Sequence, residues 1–348
     1  MKRRAAQKNK RLGRKRVYRL KVIARSAGIF MLFFASALTL VGVFAYKNLT
    51  KNFTSAISNA ELISGKSDIL KEGLTTVLYV SVEDITVSPV HITNIIVLFL
   101  DKDSKKVVSY SVSPVTVVDI PGKFGEEELA KVIALGSLDA SSDEESLLGI
   151  TLLKKTLVKL FGIGIDKYIL VDKSLDADFT AFFTHASVKS ETLKKFRETI
   201  QTDLNVKELY EIYKFVDALP EDRLVSMNFS TTAALDEDIR DITFDSKVAE
   251  EKKSIAILNG AGVAGVAAFS SRVLENMGGR IVGVENAKTT YETGVLVVDD
   301  PQSETVKEIQ EFFGFTNVEV KGQSDIDENA LDRADITLII GLDMGNSL

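Results

Sequence analysis

The chain of 348 residues contains no cysteine, no tryptophan, two histidines and five prolines. Lack of cysteine excludes disulfides, thiolate metal sites and cysteine nucleophiles. His91 and His185 leave almost no raw material for a histidine metal site or a Ser-His-Asp triad. Acid is missing from the first 25 residues, which hold twelve lysines and arginines between Lys2 and Arg25. Charge of either sign is then missing from Ala27 to Tyr46, which reads AGIFMLFFASALTLVGVFAY. Twenty such residues, at ~1.5 Å each in a helix, are enough to cross ~30 Å of hydrocarbon.

Basic flanks stay cytoplasmic, so the expectation is a basic tail over 1–26 and a single membrane helix over 27–46. Everything beyond then lies outside the cytoplasm. A cleaved signal peptide is the alternative. Its apolar core is normally shorter, roughly 7 to 15 residues, and is followed by a small-x-small site. Here Ala35-Ser36-Ala37 falls inside the apolar run and no such site follows Tyr46. Anionic lipid and topology explain the basic patch as well as nucleic acid does.

The formal charge is −6, so with twelve cations in the tail the remainder carries about −18. Such an acidic exported portion is a poor general binder of polyanions, and no nucleic-acid partner is expected. No cofactor and no metal ligand set stand out.

Residues 47–74 are polar and mixed, a stalk without sustained apolar period. From Thr75 β-rich runs begin: Thr76–Val82, Asn94–Leu100 and Val107–Val112, the last two joined by the polar turn DKDSKK as a hairpin. Val115–Ile120 reads as a short strand stopped by Pro121-Gly122. Glu126–Leu135 and Ser146–Phe161 read as helices, the second with Leu148, Leu152, Leu153, Thr156, Leu157 and Leu160 on a half-buried face. Tyr168–Val171 is a buried strand, and further helices are expected near Ser190–Asp203 and Val206–Leu219. An acidic linker over 236–253 then leads to a clear βα alternation. Strands are expected at Ser254–Leu258, Arg280–Val284, Gly294–Val298, Asn317–Val320 and Asp335–Ile340, with helices at Gly265–Met277 and Ser303–Phe313. The fold class is thus one transmembrane helix, an α/β domain over 75–235 and a small α+β domain over 254–345.

Between the first strand and helix of that last domain, NGAGVAG places Gly260, Gly262 and Gly265 in a G-x-G-x-x-G pattern, with Glu285 ending the next strand. This is the spacing of a dinucleotide fingerprint. Two arguments oppose it. The segment is expected outside the cytoplasm, where nicotinamide cofactors are not supplied, and too little chain follows to complete the usual sheet. The glycines then serve a tight strand-to-helix turn and close packing.

Two stretches resemble the LytR-CpsA-Psr family of bacterial envelope proteins. SIAILNGAGVAGVAAFSSRVLENMGGRIV, from Ser254, looks like the family's LytR C-terminal domain. Asp101–Gly122 (DKDSKKVVSYSVSPVTVVDIPG) and Gly149–Asp172 (GITLLKKTLVKLFGIGIDKYILVD) resemble its catalytic domain, an exported α/β/α sandwich. The resemblance implies transfer of a glycan from a polyprenyl-pyrophosphate lipid to peptidoglycan, with Mg²⁺ at the diphosphate. The charged residues do not follow it. Where the family carries Pro-Arg-Asp, this chain has Ser113-Pro114-Val115, so Pro114 and Val115 replace the arginine and aspartate. The family's earlier Arg-Ser-Asp becomes His91-Ile92-Thr93, its Lys-Ile-Asn becomes Lys131-Val132-Ile133, and the downstream arginine-rich stretch has no counterpart.

Glu83, Asp84 and Lys131 are the residues from which a replacement diphosphate site would be rebuilt, with Mg²⁺ required in that case alone. Asp119 and Asp166 read as turn or cap residues. The leading expectation is a non-catalytic, membrane-anchored module that binds or scaffolds peptidoglycan or other wall glycan, a polyprenyl lipid-linked intermediate or a partner envelope protein. A divergent glycopolymer–peptidoglycan phosphotransferase and a receptor acting through the basic tail are the rivals.

Overall fold

The computed structural model describes residues 73–138, 145–176 and 200–345. The basic tail, the expected membrane helix and the stalk up to residue 72 lie outside the described residues. Among the described residues no helix is long and apolar enough to cross a membrane.

Three strands open the first domain: β1 (Leu74–Val82), β2 (Ile92–Asp101) and β3 (Lys106–Val112). They pair antiparallel in sequence order, with Asp101 opposite Lys106 at the expected hairpin. The turn closes because Asp101 Oδ1 accepts the N–H groups of Asp103 and Ser104, each at 3.0 Å. β6 (Lys167–Asp172) adds parallel to β1, and β8 (Leu224–Asn228) adds parallel to β3. β7 (Ile200–Thr202) pairs antiparallel with β6 and completes the order β7-β6-β1-β2-β3-β8. Residues 200–202, expected within a helix near 190–203, form a strand instead. Residues 190–199 are outside the described residues, but Ile200 and Thr202 are buried around half-exposed Gln201, a period of two.

Both faces of this sheet are covered. On one lie α1 (Val132–Ser137), α2 (Glu145–Phe161) and α4 (Thr232–Thr243), packed through Leu153, Leu157, Phe161, Leu235 and Ile239 onto Phe99 and Tyr110. Phe161 meets Tyr110 edge-on, ring centroids 5.5 Å apart. On the other face, Ile212 and Val216 of α3 (Val206–Asp217) pack on Val77, Leu98, Ile169 and Val171. Burying such a side chain stabilises by roughly 1.5–3 kcal/mol, which explains why β1 is apolar on both faces. Leu148, expected on the buried face of α2, is exposed.

The expected helix at Glu126–Leu135 is only partly one. Gly125–Glu128 is strand β5, which turns back on β4 (Val117–Ile120) as a two-stranded ribbon. A 3₁₀ turn at Leu129–Lys131 follows, and α1 starts only at Val132. Three successive glutamates have good helix propensity. Positive φ angles at Gly122 (+90°) and Gly125 (+68°) instead close a tight turn that offers their backbone a strand partner.

The acidic stretch 236–253 is helical: most of α4, then α5 (Ser246–Glu251). Thr231 and Asp245 accept N–H groups of the first turns as N-caps, and α5 ends on Lys252 in left-handed backbone.

The C-terminal domain follows the expected alternation within a few residues. Its elements are β9 (Ser254–Asn259), α6 (Val266–Asn276), β10 (Arg280–Asn286), β11 (Val295–Val298), α7 (Glu304–Phe313), β12 (Val318–Val320) and β13 (Ile336–Ile340). The sheet order is β10-β9-β13-β11-β12, with β11 antiparallel to β13 and the other neighbours parallel. α6 and α7 cover one face, on Ile255, Ile257, Leu296 and Leu338.

Candidate functional site

In the first domain β1, β3, β6 and β8 run in one direction and end at one edge, at Val82, Val112, Asp172 and Asn228. The outer ends of parallel strands are where open α/β sheets bind ligands. This edge therefore holds the residues that must be tested for chemistry.

Glu83 and Asp84 follow directly on β1, and Asp172 stands beside Val82 in the register. Glu83 is exposed and donates its N–H to the carbonyl of His91, 3.0 Å. Asp84 turns inward on its own loop. Its Oδ1 accepts the hydroxyl of Thr86 at 2.6 Å and the N–H of Thr86 at 2.8 Å. Those bonds, the hydroxyl's first, hold its carboxyl below the usual carboxylate range. Asp172 Oδ1 accepts the N–H of Ser174. Nearby, Ser81 and Thr93 hydrogen bond to each other through their hydroxyls, 3.0 Å.

Lys131 is not brought to these carboxylates. It sits after β5, its ammonium 2.8 Å from Glu127 and 3.7 Å from Glu128. The Glu127 hydrogen bond raises its pKa. The segment Ser113-Pro114-Val115 supplies backbone only: Ser113 and Pro114 carbonyls accept the N–H groups of Thr116 and Ala130. Val115 is 69 % exposed. Asp119, on the ribbon, pairs with Lys159 of α2 at 2.6 Å. Asp166 lies at the opposite edge and accepts the Thr76 N–H at 2.7 Å.

The arginines of the described residues lie elsewhere in the fold. Arg223 precedes β8 at the far edge, Arg240 is in the last turn of α4, and Arg272, Arg280 and Arg333 belong to the C-terminal domain. No group of three or more His, Asp or Glu that could hold a metal occurs among the described residues. Glu83 and Asp84 are two adjacent carboxylates, fewer than such a group, and Asp84 Oδ1 is engaged by Thr86.

Sequence reasoning passed over one cluster. Tyr79, buried mid-strand on the α3 side, donates its hydroxyl to Asp176 Oδ1 at 2.6 Å, and Asn94 donates to the same oxygen at 3.3 Å. Burial, then Asp176, pushes the phenol far above its ordinary pKa, so it stays a donor. The signal was the tyrosine within TVLYVSV: a buried ring of that kind needs a partner for its tip. A 180 Å³ cleft lies at the other edge, between Leu74, the β2–β3 hairpin, Asp241 and Ile242, away from all these groups.

In the C-terminal domain the NGAGVAG turn is filled by the protein itself. A Cβ on Gly260 would stand 2.8 Å from the Tyr291 ring and 3.0 Å from the Ile340 carbonyl, while Gly262 and Gly265 have φ of +67° and +84°. Asn259 Nδ2 donates to the Val263 carbonyl at 2.9 Å and ties the turn together. The glycines are explained by backbone geometry and by the approach of Tyr291.

No curated protein matches the chain. Among solved structures, B. subtilis TagV is 13 % identical over 46 % of this chain and 85 % of its own, with a TM-score of 0.36. B. subtilis TagT is 11 % identical over 54 % and 98 %, TM-score 0.39. The LytR-CPS2A-psr family protein YwtF (TagT) with bound octaprenyl pyrophosphate lipid is 11 % identical over 50 % and 86 %, TM-score 0.34. Residues 253–343 match the family described as LytR cell envelope-related transcriptional attenuator. The C-terminal part of the chain is therefore a LytR C-terminal domain.

Proposed function

We propose that the chain is a membrane-anchored, non-catalytic cell-envelope module, with its N-terminus cytoplasmic and both folded domains outside. It holds wall glycan, a polyprenyl-linked intermediate or a partner envelope protein near the membrane. One observation carries the non-catalytic reading. The strand-end edge presents Glu83, Asp84, Asp172 and neutral hydroxyls, and the arginines of the described residues are placed elsewhere. A diphosphate brings at least two negative charges, and an acidic edge repels rather than compensates them. Phosphoryl transfer rests on positioning and on charge stabilisation, and an arginine fork is the usual means for both. The envelope setting rests on the LytR C-terminal domain and on the charge asymmetry of the first 46 residues.

The test is a transfer assay with the full chain in detergent. Labelled polyprenyl-diphosphate glycan, peptidoglycan and Mg²⁺ are supplied together. The expected result is no covalent transfer of label to peptidoglycan above a protein-free control. Transfer that depends on Mg²⁺ would overturn the proposal and establish the divergent phosphotransferase instead.

A further inference from the structure

Helix α6 does two jobs at once. Val266, Val273 and Leu274 face the C-terminal sheet, while Phe269, Arg272 and Asn276, spaced i, i+3, i+7, form a second stripe. Phe269 packs against the cores of both domains. Arg272 leaves its own domain. Its Nε donates to Asp236 Oδ1 of α4 at 2.7 Å, and Nη2 contacts the same oxygen. Nη1 donates to the Lys159 carbonyl at 2.9 Å and Nη2 to the Leu160 carbonyl at 2.6 Å.

Lys159 and Leu160 are in the last turn of α2, where carbonyls lack intrahelical partners and the helix dipole is negative. The helix ends on Gly162, φ +66°, whose N–H returns to the Val158 carbonyl. Asn276, one turn beyond Arg272 and 2 % exposed, brings its amide nitrogen to the same place, 3.4 Å from the position of a Cβ on Gly162.

The segment between the domains is fastened as well. The Asp245 N–H donates to the Met277 carbonyl at 3.2 Å. At its far end Glu251 accepts the N–H groups of Glu304 and Thr305 at the start of α7.

We propose that Arg272 is an interdomain latch: the C-terminal domain supplies the C-terminal cap of α2, so the two domains open and unfold as one unit rather than as modules on a free tether. Three acceptors from two elements of the first domain converge on one planar fork, a geometry lysine cannot reproduce. The lysine that lends its carbonyl also pairs with Asp119 of the ribbon, so the latch reaches the strand that follows Pro114 and Val115. One consequence is that the Phe269–Arg272–Asn276 face is already occupied, and an external partner of the C-terminal domain must use another face.

Hydrogen exchange by mass spectrometry on the full chain in detergent tests this, with wild type, Arg272→Ala and Arg272→Lys. The expected result is at least tenfold faster exchange in peptides spanning 158–163 and 266–276 for both variants, with little change around β2 and β3. A calorimetric transition that is single in wild type is expected to split in Arg272→Ala. Should Arg272→Ala fail to fold, Arg272→Lys keeps the charge and removes only the fork, and decides alone. Unchanged protection of 158–163 in a folded variant would overturn the latch.

Discussion

At the scale of single residues, charge is spent locally. Asp84 and Lys131 are residues whose types and positions suggest a diphosphate site. Each is instead bonded to a neighbour, Thr86 and Glu127 in turn, and Asp119, expected in a turn, pairs with Lys159. Glu251 is the clearest case of a carboxylate with a structural task. Burial pushes its pKa up, but hydrogen bonds from the Thr305 hydroxyl, the Thr305 and Glu304 N–H groups and Ser303 outweigh that and bring it down to about 2. Because the folded value lies below the unfolded one of about 4.5, its contribution is complete above that pH and is lost as pH falls toward 2. Glu251→Gln is therefore expected to cost about 1 kcal/mol at pH 7, the size of a lost N-terminal cap, and to flatten the acid limb between pH 4.5 and 2. Urea titrations of both proteins across that range check it. A pH dependence identical to wild type would show that the carboxylate does not cap α7. Of these residues, the sequence displayed the types but not the partners. Nothing in the spacing of Glu251 and Thr305, or of Arg272 and Leu160, marks them as neighbours, since they meet only through the tertiary fold.

At the scale of elements, legibility followed burial and turn chemistry. The C-terminal strands and helices were readable because each apolar run is closed by its own signal: Ser303 caps α7 and Gly314 ends it with φ +72°. The β2–β3 hairpin was readable from DKDSKK for the same reason. Misreading came where propensity and pairing disagree, at Glu126–Glu128, whose helix-forming side chains lie in a strand because β4 offers a ladder. The α1–α2 contact was invisible beforehand although both its glycines are in plain view. A Cβ on Gly149 would lie 2.6 Å from the Ile133 carbonyl, and one on Gly136 would lie 2.7 Å from the Leu148 carbonyl. These are backbone atoms, so neither helix can yield by turning a side chain. Gly149→Ala is expected to force the helices apart and destabilise the first domain by about 1–3 kcal/mol. Its thermal midpoint, measured beside wild type, gives the answer, and an unchanged midpoint would mean the helices part freely.

At the scale of the whole molecule, two large sheets of different order share the described residues, and the acidic segment between them is folded onto both. The first sheet is an apolar frame, and the edge where its parallel strands end presents Glu83, Asp84 and Asp172. Apolar frame and charged edge answer to different physics. The frame is set by area removed from water, the site by a few charges at strand ends. The strand-end edge is proposed not to bind a metal-bridged diphosphate. The most direct measurement is a calorimetric titration of the full chain in detergent with octaprenyl diphosphate, with and without Mg²⁺, and with the corresponding alcohol. No magnesium-dependent binding is expected, with any heat unchanged when the alcohol replaces the diphosphate. Micromolar binding that requires Mg²⁺ and is lost in Glu83→Gln/Asp84→Asn would contradict it.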